Sequence, residues 1–134
     1  MKKIYEIDGK DFVNLEDFFQ IISHTLIPGA FWGKNLDAFN DILRGGFGTP
    51  DEGFIIRWNN SELSREKLGY TETLKWLKQK LEHCHPANRE FVKQEILEAE
   101  NQQGQTLFDI LVEIIKDHGP RGGEAEDRVD LELI

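Results

Sequence analysis

The stretch from Phe31 to Gly48, FWGKNLDAFNDILRGGFG, decides how this chain is read. It divides into an aromatic loop, one short helix and a glycine-rich exit. Asn35 is an N-cap residue, because its side-chain oxygen accepts from the unbonded N–H groups of a first helical turn; Leu36 then opens the helix. Leu36, Phe39 and Leu43 recur at i, i+3 and i+7 with Ile42 beside them, so one helix face is apolar. Gly45 and Gly46 end the helix, since glycine takes a left-handed exit freely. Asp37, Asn40, Asp41 and Arg44 fall on the outward side.

Asp37 and Asp41 are one turn apart, so their carboxylates are neighbours. Like charges at that spacing cost a helix about 0.2–0.5 kcal/mol. Asp41 also lies toward the negative end of the helix dipole, where an acid is unfavourable. A local cost without structural return points to a functional face, against the plainer reading of a solvated surface. Phe31 and Trp32 precede this face. Adjacent aromatics in a loop are either both core or one core and one exposed anchor, and the residue types leave that open.

Outward from this stretch, the chain alternates strands and helices. Ile4–Ile7 is β-branched and aromatic and ends at the turn pair Asp8-Gly9, so it reads as a strand. Asn14 caps a helix whose Leu15, Phe18, Phe19 and Ile22 share a face, ending before Pro28. Phe54–Trp58 reads as a strand buried on both faces. Asn59, Asn60 and Ser61 start a short helix that Gly69 ends. Tyr70 to Asn101 is helical in pattern, broken at His83-Cys84-His85-Pro86, with Phe91, Ile96 and Leu97 continuing beyond the break. Gln105–Lys116 carries a broad apolar stripe, and Val129–Ile134 alternates as a last strand. This order predicts an α/β fold with a small parallel sheet packed with helices, in a single domain over residues 1–134.

A formal net charge of −9 argues against nucleic acid or an anionic membrane as direct partner and favours a basic one. The acidity is uneven. Arg57 to Lys93 holds 8 basic against 5 acidic residues, while the remainder holds 8 against 20. The single cysteine, Cys84, permits no internal disulfide, which fits a reducing compartment. The N-terminus lacks the apolar run of a signal peptide, so the expectation is a cytoplasmic protein.

Other chemistry finds little support. His83, Cys84 and His85 are contiguous, so their side chains diverge and converge poorly on a metal; His24 has no second ligand nearby. Gly45–Pro50 lacks the Lys-Ser/Thr of a phosphate loop and leads into a strand. Asp37 and Asp41 as a catalytic carboxylate pair would have little desolvation on an exposed face to separate their roles. No cofactor or metal is expected.

Pro28, Phe31-Trp32, Gly33, the run Asn35-Leu36-Asp37-Ala38, Asp41 and Gly45 together resemble the barstar family, intracellular inhibitors of secreted bacterial ribonucleases. The resemblance implies a barstar-like three-stranded parallel sheet. It also implies blockade of a basic ribonuclease of the barnase type by an acidic helix and aromatic loop that mimic substrate phosphates, with the inhibitor a monomer. Residue by residue, it assigns partner binding to Asp41 as the principal acid, Asp37 as the second, Phe31 and Trp32 as the aromatic pair, Asn35, Asn40 and Gly45, with Glu113 as a further acid. It covers Met1 to about Ser61 and, more loosely, Gly104 to Ile134. Simpler members lack most of residues 63–101, which reads as a helical insertion. Asn40 and Gly46 stand where the best-known member has Trp, Lys34 replaces an acid, and Arg44 dilutes the acidic face. An interaction or immunity protein for a different basic toxin or enzyme is the competing reading, since a fold does not fix its partner.

Overall fold

Three short strands lie side by side and run the same way. The computed structural model describes residues 2–134. In chain order the elements are β1 (Lys3–Asp8), α1 (Leu15–Leu26), α2 (Leu36–Arg44), β2 (Phe54–Asn59), α3 (Ser61–Lys67), α4 (Tyr70–His83), α5 (Arg89–Glu100), α6 (Leu107–Asp117) and β3 (Val129–Leu133). The sheet order is β1-β2-β3, with both pairs parallel. Parallel neighbours need crossovers; α1 and α2 make the first, and α3 to α6 the second. The fold is α/β with a small three-stranded parallel sheet, as the element order predicts.

The register sorts the sheet into two faces. Tyr5 pairs with Ile56 and Ile7 with Trp58, while Phe54 pairs with Val129 and Ile56 with Leu131. These side chains share one face and, except for the partly buried Leu131, are buried under the helices. The expectation of a central strand buried on both faces is overturned here. Along β2, Phe54, Ile56 and Trp58 are buried, but Ile55, Arg57 and Asn59 are only partly covered. Arg57 occupies the outer face between two acids, 2.7 Å from Glu132 and 3.6 Å from Glu6. The bond to Glu132, aided by both negative charges, holds its guanidinium above the ordinary value. A charge ladder takes the place of a second helix layer.

Aromatic rings bind the helical layer to the sheet. Phe18 of α1 stacks on Trp58 with centroids 5.5 Å apart and meets Phe39 of α2 edge-on at 5.4 Å. Phe108 of α6 lies 5.2 Å from Trp58, with its ring tilted against it. Such pairs add about 0.5–1.5 kcal/mol each beyond their burial. The Trp58 indole N–H donates to Ser64 Oγ at 2.9 Å, so the core's largest ring leaves no orphan donor. α2 therefore reaches the sheet through Phe39 and Phe18, which leaves its opposite face free.

The α4–α5 hairpin packs chiefly on itself, and α4 also touches α6. Leu77, Val92 and Ala99 are its buried residues of apolar type. The second helix read from Phe91, Ile96 and Leu97 is present as α5, with Phe91 and Leu97 on its exposed side. α6 starts on a capping box: Thr106 Oγ1 accepts from Asp109 N–H, and Asp109 accepts from Thr106 N–H.

Candidate functional site

The aromatic loop and α2 are set by three local devices. The Asn35 side chain accepts from Ala38 N–H at 2.8 Å, which caps α2 as its sequence position predicts. Gly45 ends the helix at φ 105°, ψ −175°, a conformation essentially confined to glycine. Trp32 is the third device. It is 6% exposed, meets Phe19 edge-on at 5.5 Å and donates its indole N–H to Ser23 Oγ at 2.5 Å.

Trp32 therefore departs from its expected role as a binding anchor. Its ring faces inward because α1 offers it both an aromatic wall and an acceptor. Its neighbour Phe31 is 98% exposed. The open question about this aromatic pair resolves into one core residue and one solvent-facing residue, the first holding the second out.

Asp37 and Asp41 both face outward on α2. Asp37 makes no ion pair among the described residues, whereas Asp41 lies 2.6 Å from Arg44 Nη1, with its side chain 57% exposed. Asp37 borders two open clefts. One, about 470 Å³, lies between α2 and α6 and is lined by Leu36, Asp37, Asn40, Ile110, Glu113 and Asp117 among others. The other, about 500 Å³, lies toward α4, where Trp76, Lys80 and His83 contribute. The first brings Glu113 to the same face as Asp37, though Glu113 also accepts from the Gln105 side-chain amide. Asp117 is a further acid of this cleft that the sequence reading did not single out.

Asn40 departs from its expected role as well. Its side-chain oxygen lies 2.6 Å from His118 Nε2, so the amide points into the protein. His118 was not singled out from the sequence and is fully buried. Its Nδ1 lies 2.6 Å from Asp127, and Glu124 sits 3.6 Å from Nε2. Glu124 also accepts from Arg44 at 2.7 Å and 3.2 Å, the main cause of the Arg44 guanidinium's rise above its ordinary value. A connected set, Asp41–Arg44–Glu124–His118–Asp127, ties the C-terminal half of α2 to the loop between α6 and β3. His118, Glu124 and Asp127 place one possible metal-ligand atom each within 4.8 Å of the others. Their own partners already occupy them: Nδ1 faces Asp127, Nε2 faces Asn40, and Arg44 supplies the positive charge at Glu124. The group reads as a structural clasp.

The face is thus an exposed aromatic and two outward acids on a helix pinned from beneath, flanked by open clefts. The family profile described as Barstar (barnase inhibitor) matches residues 2–97. The chain belongs to the barstar family. The match runs through α4 and into α5, including most of the segment read as an insertion, and stops before α6 and β3. Comparison with curated proteins returned no match. Among the described residues, no helix is long and apolar enough to cross a membrane.

Proposed function

We propose that this barstar-family protein inhibits a basic ribonuclease of the barnase type by seating α2 and the Phe31 loop in the enzyme's active site. Asp41 and Asp37 stand in for substrate phosphates. A carboxylate accepts paired bonds from a guanidinium much as phosphate does, so the acids satisfy the cations that hold RNA. Phe31 supplies apolar contact beside them. Gly45 lets the partner's backbone approach the end of the helix, and Glu113 extends the acidic face across the cleft. Trp32, Asn35 and Asn40 act by positioning: they hold the loop, the first turn and the last turns of α2. The role is blockade rather than catalysis, exerted in the cytoplasm by a monomer of one domain, with residues 63–101 a helical addition to it.

The observation that carries this reading is the outward placement of Asp37 and Asp41 on a helix whose other face is locked into the core. A helix held this rigidly loses little freedom on binding, and preorganisation of that kind favours affinity. The test is inhibition of barnase-catalysed RNA cleavage by the purified protein. Stoichiometric inhibition supports the proposal. Full nuclease activity at a large excess of the protein excludes barnase as a target.

A further inference from the structure

Arg44 holds two carboxylates at once. Its Nη1 donates to Asp41 at 2.6 Å, while Nε and Nη2 donate to the two oxygens of Glu124 at 2.7 Å and 3.2 Å. The second contact is a two-pronged fork, the geometry that fixes a guanidinium in direction as well as distance. Glu124 is itself fixed. Its backbone N–H donates to the Asp117 carbonyl at 2.9 Å, and its side chain lies 3.6 Å from buried His118. Asp127 adds its negative charge from the far side of His118. Arg44 is therefore held by the loop between α6 and β3 and laid against Asp41. Asp37, on the same helix, makes no such pair among the described residues.

We infer that Arg44 is a specificity-determining residue of the acidic face: latched by Glu124, it pairs with one carboxylate oxygen of the exposed Asp41 in the free protein and leaves Asp37 without a counter-charge. This rests on the reading of that face as the nuclease-binding surface. A cation that approaches Asp41 meets a carboxylate already paired with Arg44. The partner's cation must displace Arg44 from Asp41 or share the carboxylate with it, and Glu124 keeps Arg44 close in either case. Long-range attraction toward a cationic cleft is reduced at the very acid that has most to do there.

Two measurements test this. The first uses the free protein: the Arg44 Nε–H resonance, observed by NMR in the wild type and in Glu124→Gln. It is expected to be displaced and exchange-protected in the wild type and to move to the position of an exposed arginine in the variant. An Arg44 signal already at the exposed position in the wild type overturns the latch. The second is stopped-flow association with barnase at low salt, for wild type, Arg44→Gln, Lys34→Gln and Arg44→Gln in an Asp41→Asn background. Arg44→Gln is expected to speed association at least threefold more than Lys34→Gln, which removes the same charge, and to lose that advantage once Asp41 is neutralised. Equal gains from both variants would mean bulk charge alone and overturn the inference. If barnase binds no variant while the Arg44 resonance is displaced, the barnase-type reading fails and the Arg44–Glu124 latch stands.

Discussion

The Asn40 side-chain oxygen lies 2.6 Å from Nε2 of the fully buried His118, across 78 positions of sequence. This contact, with His118 Nδ1 on Asp127, joins the outer helix α2 to the loop that precedes the last strand. The acidic face is only as well placed as this join allows.

His118→Ala should therefore destabilise the protein by about 2–4 kcal/mol. It opens a cavity in the core and leaves Asn40 and Asp127 without their partner. Urea unfolding followed by circular dichroism checks this, with the midpoint falling and the slope retained. His118→Gln, which can still bond on one side, should recover part of the loss.

Asn35→Ala should cost about 1 kcal/mol through loss of the α2 cap. Thermal unfolding reports it, and amide exchange should rise at Ala38, whose N–H the Asn35 side chain accepts. Unchanged exchange there would contradict the capping role.

Gly45→Ala should cost about 1–3 kcal/mol, although nothing beyond its chain neighbours stands within 4 Å of the position a Cβ would take. The cost comes from φ 105° with an extended ψ, not from crowding. A stability equal to wild type would show that the helix exit relaxes freely.

Acid stability offers a test at Asp8. Its carboxylate accepts from Lys10 N–H first and from Asn60 second, and these bonds lower its pKa below 3.8. The charged form is thus favoured by folding. Its contribution is present above the unfolded value and is lost as pH falls through the folded one. The stability gap between wild type and Asp8→Ala should hold steady above the ordinary carboxylate range and close as pH falls below it. Urea midpoints across that range check it; a gap that widens in acid has the wrong sign.

Local rules made the helix starts legible. Asn14 and Asn35 cap α1 and α2 where their sequence positions predict, because a cap depends on the three residues that follow it. The side of the α2 helix that faces out was equally legible from the spacing of Phe39, Ile42 and Leu43. Residues whose fate is decided by distant partners were not. Phe31 and Trp32 are equivalent by type; Ser23 and Phe19 of α1 decide that Trp32 goes inward. β2 is apolar enough to suggest a strand buried on both faces, yet Arg57 is placed between Glu6 and Glu132 from the two neighbouring strands. His118 sits between Asp117 and Gly119 like any helix end, and its partners Asn40 and Asp127 lie 78 and 9 positions away. A histidine followed by three acids in a glycine-rich loop was the one available signal, and it is a weak one.

In the proposed complex, Asp41 replaces a substrate phosphate at the nuclease active site. Calorimetric titration of barnase with wild type and Asp41→Ala, run beside thermal melts of both, tests it most directly. The expected result is a loss of more than about 2 kcal/mol in binding, roughly thirtyfold in Kd, at an unchanged melting temperature. Equal affinity of the two proteins for barnase would contradict the claim.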